Sequence, residues 1–391
     1  MKSTFIGSMI LAGGLFTLAS CSNDAIEDTM EETFQGIQPG TPMNFVLGFG
    51  GQPQESGKRK IVYNDAVATS GSVDFKWEVG DCVGIECPDA EKDNEELGRQ
   101  GRGSKGVYKV KSTDSPYGPH YATDLQCISE THLYWSKEEV HRVFLAYPAG
   151  KVDLETISGD GPSFTRPFTT EIEQNQDGDV FEDKIRVGNS SVDGYRCIDK
   201  NNSIFAGEWT YYRSDMSAEA PIFLPLNPFF TAMDVVFPKA EGTATPVTIK
   251  SVAIKVELPE GASITDIKIA GKCSGTVQNS ENGSIIVKEI TPNPAESSNQ
   301  ISLSLNKEQG GYTWNQDKPL SAILCMFPWP EPEGLGDAAY QKTFPVSLKV
   351  VYQYEGEEEQ TKYLKADGKY GINARNRILV PTLPKKTVVT E

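Results

Sequence analysis

FPVSLKVVYQY, residues 344–354, is the longest alternation of apolar and polar side chains in the sequence. Its regularly spaced apolar positions are Phe344, Val346, Leu348, Val350, Tyr352 and Tyr354. Because successive side chains of a β-strand point to opposite faces, this period of two predicts a strand with one buried and one solvated face. Such strands are typical of antiparallel sheets.

The same period recurs earlier in the chain, where the residues 43–49 and 301–305 alternate in the same way. The run from Leu320 to Phe327 is apolar on both faces, which predicts a central strand. Between Val247 and Leu258 the apolar positions shift by one residue near Lys250 and Ser251, which predicts a β-bulge.

Helical signals are weak, since no apolar period of 3.6 residues extends beyond three turns. Two stretches are polar: Glu171 to Asp183 is interpreted as a loop, and Asn189 to Ala220 as an irregular region. We place a domain boundary in the second stretch. The predicted fold is therefore all-β, with two antiparallel β-sandwich domains in series, residues 41–215 and residues 216–391.

The chain of 391 residues is acidic, with 37 Lys and Arg residues against 54 Asp and Glu residues and a formal net charge of −17. A surface of this sign repels phosphate backbones, so we expect no nucleic-acid partner. The 38% hydrophobic content is too high for a disordered acidic chain.

The N-terminus indicates export. Lys2 precedes a short apolar stretch that is typical of a cleaved signal peptide, residues 1–20. Leu18-Ala19-Ser20-Cys21 resembles a bacterial lipobox, in which the cysteine becomes the acylated N-terminus; an ordinary secretory signal with an incidental cysteine is the alternative. Residues 21–40 are predicted to be a flexible acidic tether. These features predict a surface-exposed lipoprotein of the cell outer membrane.

The sequence contains no recognisable catalytic constellation, and we expect no enzyme activity, no cofactor and no metal. The histidines His120, His132 and His141 have no spacing typical of a metal or catalytic site, and they are interpreted as exposed or strand-end residues. Glu173, Asn175, Asp177 and Asp179 imitate the start of a calcium loop, but Lys184 stands where a bidentate Glu is needed, which favours a plain acidic turn. For the six cysteines after Cys21, the sequence leaves free thiols and disulfides open.

Phe75-Lys76-Trp77-Glu78-Val79-Gly80-Asp81-Cys82-Val83-Gly84-Ile85 resembles a stretch of the Bacteroidales fimbrillin-like proteins, the subunits of type V pili. Leu133-Tyr134-Trp135, the run from Val143 to Pro148, and the run from Ile222 to Lys239 are similar to later hallmarks of that family, in the same order. Independently of the family, Trp77 is interpreted as a core aromatic and Gly80-Asp81 as a tight turn.

The resemblance implies a lipoprotein precursor that is cut after a basic residue and then assembled by donor-strand exchange. The first strand, with Met43, Phe45, Leu47 and Phe49, would be lost and replaced by a strand of a neighbouring subunit. The basic run Lys58, Arg59 and Lys60 is the predicted processing site, and a solvated loop is the alternative. Candidate donor residues near the C-terminus are Ile378 and Val380, with Val388 and Val389 beyond them.

The predicted function is a structural or adhesive subunit of a cell-surface fimbria. Its expected partners are other fimbrial subunits, as a homopolymer or heteropolymer, the outer membrane through the lipid anchor, and a host or bacterial surface ligand. The alternative is a glycan-binding surface lipoprotein that does not polymerise. Its stacking platforms would be exposed aromatic residues: Trp209, Tyr211, Tyr212, Trp314 and Trp329.

Overall fold

The computed structural model describes residues 36–49, 61–62, 72–73, 76–118, 120–154, 165–187, 190–217, 220–229, 231–240, 244–257, 268–279, 285–327, 343–369, 375–380 and 383. Within them the chain forms 24 β-strands and four short 3₁₀ turns, so the prediction of an all-β fold is confirmed. The turns are Glu95–Leu97, Lys200–Asn202, Arg213–Asp215 and Lys307–Gln309. In this described part, no helix is long and apolar enough to span a bilayer.

The first sheet has eight strands and curls back on itself. Its spatial order is β6 (Tyr121–Ala122), β1 (Phe45–Phe49), β14 (Ile222–Pro228), β13 (Phe205–Tyr212), β8 (Val140–Tyr147), β4 (Cys82–Glu86), β5 (Lys105–Ser112) and β7 (Asp124–Cys127). Only Thr123 separates β6 from β7 in the sequence. The two outer strands of the sheet are therefore one nearly continuous segment.

The other sheets have ten, four and two strands. The ten-stranded sheet runs β23 (Gln360–Lys369), β22 (Thr343–Tyr354), β16 (Val247–Val256), β19 (Gln300–Leu305), β11 (Asn175–Val187), β12 (Ser190–Ile198), β21 (Leu320–Met326), β15 (Thr231–Phe237) and β24 (Arg375–Leu379), with β20 (Tyr312–Trp314) paired to β16. The four-stranded sheet runs β18 (Ile285–Ser298), β17 (Ala270–Asn279), β10 (Thr165–Ile172) and β9 (Val152–Leu154), and β2 (Ile61–Val62) pairs with β3 (Ser72–Val73).

Three local predictions are confirmed. The alternation of apolar and polar side chains at residues 344–354 belongs to β22, where Val346, Leu348 and Val350 are buried. The strand β21 is buried at all seven positions and lies between β12 and β15. The pairing of β16 with β22 shifts register between Ile249 and Ser251, which is the expected bulge.

The predictions of a loop at Glu171 to Asp183 and of an irregular region at Asn189 to Ala220 are wrong, because most of both stretches is strand. Their polar residues pair across strands: the ammonium group of Lys184 on β11 contacts the Asp193 carboxylate on β12, and the guanidinium of Arg196 contacts Asp183. A strand whose partners are charged has no apolar alternation, so a search for that period misses it.

Four strand pairs are parallel, although antiparallel sheets were expected: β1 with β14, β11 with β19, β12 with β21 and β15 with β24. Parallel neighbours need a long connection between them, so such pairs join strands far apart in sequence. The division into domains at residues 215 and 216 stays a prediction. Both β11 and β12 pair with strands that come after residue 216.

The buried apolar residues form two core clusters. The first core lies mainly on the ten-stranded and four-stranded sheets, and the second core lies mainly on the eight-stranded sheet. A buried ion pair connects two sheets: Arg166 on β10 lies 3.3 Å from the Glu208 carboxylate on β13 and 3.7 Å from Glu86 on β4. Burial raises the pKa of Glu208.

Candidate functional site

The strand β1 lies between two strands that are distant in sequence. All five residues of β1 pair in parallel with β14, from Phe45 beside Ile222 to Phe49 beside Leu226. On its other edge, Leu47 and Gly48 pair antiparallel with β6. We call the position that β1 occupies, between β14 and β6, the β1 groove.

The strand β14 depends on β1 for most of its ladder, because β13 pairs with it at only two positions, Phe205 with Pro228 and Ala206 with Asn227. Where that ladder is open, two aromatic side chains of β13 take its place. The indole Nε1 of Trp209 donates to the Pro225 carbonyl at 3.1 Å, and the Tyr211 hydroxyl donates to the Phe223 carbonyl.

The inward face of β1 fills the second core. Phe45, Leu47 and Phe49 are all at most 5% exposed. The Phe49 ring stacks on Trp77 with centroids 4.3 Å apart and meets Tyr147 and Phe205 edge-on. The Phe45 ring meets Tyr108 edge-on at 5.1 Å. The floor of the β1 groove is therefore lined with aromatic rings, which gives large apolar contacts of specific geometry.

The outward face of β1 is also buried, contrary to the expectation of one solvated face. Val46 is 3% exposed. Gly48 lies under the ring of Tyr121, and a Cβ atom at Gly48 would lie 2.7 Å from the ring carbon Cε1. Glycine is required here because the ring approaches the backbone closely.

The chain just before β1 is held by a second set of contacts. The N–H of Gly40 donates to the Trp135 carbonyl at 2.7 Å, and the N–H of Met43 donates to the Leu133 carbonyl at 3.0 Å. Ile37 is buried, and its carbonyl accepts from the guanidinium of Arg213 at 3.0 Å. The held segment thus extends from Ile37 to Phe49, including the end of the sequence predicted to be a tether.

The floor of this groove includes Trp77, from the stretch of residues 75–85, and Tyr147, from the run from Val143 to Pro148. Both have structural contacts, in agreement with their interpretation as structural residues. Trp77 is buried and donates from Nε1 to the His120 carbonyl at 3.1 Å. Gly80 has φ of 104°, and the N–H of Asp81 donates to the Glu78 carbonyl at 3.1 Å, which confirms the predicted turn. The Tyr147 hydroxyl donates to Oδ1 of Asp81 at 3.2 Å. Burial raises the pKa of Asp81.

Several predicted site residues lie outside the described part of the chain: Cys21, Lys58, Arg59, Lys60, Trp329, Val388 and Val389. In the sequence, Lys58 to Lys60 stand between Phe49, the last residue of β1, and Ile61, the first residue of β2. The lipidation and processing sites therefore stay predictions.

The candidate donor residues near the C-terminus are not close to the β1 groove in the ladder of strands. Ile378 belongs to β24, the outer strand of the ten-stranded sheet, which pairs in parallel with β15. Val380 is buried, and its N–H donates to the Val236 carbonyl at 2.8 Å. Their role as donors stays a prediction.

The aromatic residues of the glycan-binding alternative are mostly engaged inside the protein. Trp314 is 3% exposed and donates from Nε1 to the Lys318 carbonyl at 2.7 Å, so its expected exposure is wrong. Trp209 and Tyr211 are partly buried and bonded to β14, as described above. Tyr212 is 50% exposed.

The calcium-like stretch is an extended strand instead of a loop or an acidic turn. The carboxylate of Asp177 on β11 accepts from Nζ of Lys307 at 2.7 Å, and Glu173 accepts from Lys151 at 2.9 Å. Among the residues that the structure describes, no group of three or more His, Cys, Asp or Glu side chains could hold a metal ion.

His141 is the second residue of β8, which agrees with the strand-end interpretation, but its side chain is fully buried. Its Nε2 accepts from the N–H of Ser136 at 3.1 Å, and burial lowers its pKa to about 4. The six cysteines of the described residues are free thiols, which resolves the open choice. Burial raises the pKa of Cys273 and of Cys325 to about 12, so these thiols are inert.

The spacing of apolar residues predicts the inward residues of β1 but not the side chain that covers its other face. Neither Tyr121 nor the parallel pairing with β14 was expected. A glycine inside an otherwise apolar strand is a signal for close approach of another group, and Gly48 carries that signal.

No family model matches the chain, and no curated protein is significantly similar to it. Among solved structures, the chain is similar to a candidate cell adhesion protein from Bacteroides ovatus, with 13% identity, a TM-score of 0.40, and coverage of 88% of this chain and 92% of that chain. A candidate cell adhesion protein from Bacteroides fragilis matches with 11% identity, a TM-score of 0.40, and coverage of 86% and 92%. A candidate adhesin from Bacteroides ovatus matches with 9% identity, a TM-score of 0.25, and coverage of 82% and 75%.

Proposed function

We propose that the protein is a structural or adhesive subunit of a cell-surface fimbria, anchored to the outer membrane through Cys21 and assembled by donor-strand exchange. The observation that carries the proposal is the position of β1, the first strand of the described residues, which lies between β14 and β6 and is followed in the sequence by the basic run Lys58 to Lys60. A cut at Lys58, Arg59 or Lys60 would separate this strand from the rest of the chain.

The energetics of the β1 groove support exchange. Four apolar side chains of β1 are buried: Phe45, Val46, Leu47 and Phe49. At about 1.5–3 kcal/mol for each, their burial contributes roughly 6–12 kcal/mol. The net stability of a whole protein is about 5–15 kcal/mol. A groove without its strand is therefore unstable, and a strand from a neighbouring subunit would restore both the ladder of β14 and the aromatic core.

Controlled proteolysis of the full-length chain tests this function. With trypsin at low concentration, we expect one preferred cut within Lys58 to Lys60, after which an excess of a labelled peptide of residues 36–49 displaces the β1 segment and co-elutes with the folded chain in size-exclusion chromatography. The matched control replaces the three basic residues, Lys58→Gln, Arg59→Gln and Lys60→Gln, and should stay uncut there and take up no peptide. A cut product that loses β1, takes up no peptide and remains folded would contradict the proposal.

A further inference from the structure

The contacts on the two faces of β1 define what a replacement strand must look like. Its inward side chains must match the three aromatic-lined positions now filled by Phe45, Leu47 and Phe49. It must also run parallel to β14, with free N–H groups for the ladder. These two requirements alone would accept many apolar strands, since main-chain hydrogen bonds are independent of sequence.

The outward face adds a stricter requirement. The Tyr121 ring that covers Gly48 is 7% exposed and meets the Tyr117 ring edge-on at 6.3 Å. Tyr117 in turn meets Phe223, on β14, edge-on at 5.0 Å. Tyr121 is also the residue paired with Gly48 in the ladder, so its backbone cannot retreat without breaking that pairing. A side chain larger than hydrogen at the position of Gly48 would therefore overlap a ring that is held on several sides.

The groove thus selects a pattern of five residues: an apolar residue, any residue, a second apolar residue, a glycine and a third apolar residue. In the 391 residues this pattern occurs once, in FVLGF at residues 45–49, which is β1 itself. The last glycine of the sequence is Gly371, so the stretch of residues 372–391 offers none to the Tyr121 position in any register. In that stretch, Pro381 and Pro384 also lack the N–H that a ladder needs.

We propose that the vacated β1 groove accepts a strand from a different polypeptide, one that carries glycine between the second and third of its inward apolar residues. The subunit is then joined at this groove to a partner of another sequence, and its own residues 372–391 do not enter the groove of a second copy. This inference rests on the proposed function, because it assumes that β1 leaves.

Peptide exchange into the cut full-length chain tests the inference. A specific protease site is inserted between Glu55 and Ser56, and the chain is cut there, so that β1 remains bound without a covalent link. Fluorescent peptides are then added, and their incorporation is followed by fluorescence anisotropy. The peptides have the sequence of residues 36–49, the same sequence with Gly48→Ala, and the sequence of residues 372–391.

We expect the first peptide to enter the groove, the Gly48→Ala peptide to bind at least about ten-fold more weakly, and the peptide of residues 372–391 not to enter. In the full-length variant Tyr121→Ala, the preference for glycine over alanine should fall to about one-fold. Tyr121→Leu, which keeps an apolar cover over the strand, is the second variant if Tyr121→Ala does not fold.

The outcomes distinguish a failure of this inference from a failure of the proposed donor-strand exchange. If the peptide of residues 372–391 enters as well as the peptide of residues 36–49, or if the Gly48→Ala peptide binds equally well, the requirement for another polypeptide is refuted while donor-strand exchange stands. If even the peptide of residues 36–49 does not exchange, donor-strand exchange is refuted, and the inference is refuted with it.

Discussion

Leu47 is the central inward residue of β1 and is fully buried, so Leu47→Ala tests how much of the stability depends on this strand. The substitution removes three carbon groups, which at about 0.8 kcal/mol each lose roughly 2.4 kcal/mol of burial. The cavity that remains raises the expected loss in the free energy of unfolding to about 3–4 kcal/mol. In the chain cut between Glu55 and Ser56, the same loss should weaken retention of the β1 segment by roughly 100- to 1,000-fold.

Two assays measure these effects: urea unfolding of the intact chain, and release of the β1 segment from the cut chain during size-exclusion chromatography. The matched control is Leu348→Ala, because Leu348 on β22 is also fully buried but lies in the first core. It should cost a similar free energy of unfolding without speeding release of the β1 segment. A cost below about 1 kcal/mol for Leu47→Ala, or equal release in both variants, would refute the reasoning about the groove.

Two further predictions concern the interior of the protein. Arg166→Leu leaves the buried carboxylate of Glu208 without its partner at 3.3 Å and should lower the free energy of unfolding by about 3–5 kcal/mol. Adding Glu208→Leu should recover part of this loss of stability in a double-mutant cycle. If the effects of the two substitutions are fully additive, the two residues are not energetically coupled and the prediction is refuted. Burial lowers the pKa of His141 to about 4, below its ordinary value of 6.5. Between these two pH values the native state therefore binds fewer protons than the unfolded state. The free energy of unfolding should consequently fall as the pH drops from 6.5 towards 4. His141→Gln should flatten this part of the stability curve measured by urea unfolding between pH 4 and 7, and an unchanged slope would assign the pH dependence to other groups.

The all-β class and many strands follow from local pattern. The strand β22 and the fully apolar β21 were predicted because one or both faces of each are apolar, and the bulge in β16 was predicted because the apolar phase shifts at Lys250 and Ser251. The strands β11 and β12 were missed since cross-strand ion pairs, such as that of Arg196 with Asp183, replace apolar alternation there.

The candidate site was predictable on one face only. The inward residues Phe45, Leu47 and Phe49 are marked by their spacing and by a resemblance to a known family. The cover on the outward face comes from Tyr121, which is more than 70 residues away, and the ladder comes from β14, which is farther still. Single-sequence patterns carry no record of such distant pairings.

The sequence by itself determined that this is an acidic all-β protein with an export-like N-terminus, an apolar first strand and a basic run after it. The tertiary structure decided that the first strand lies between β14 and β6, with both faces buried, and that a glycine is required beneath Tyr121. The physical reason is the range of the interactions. Alternation and charge are local properties of a chain, whereas a groove is made by segments that meet only when the whole sheet has closed.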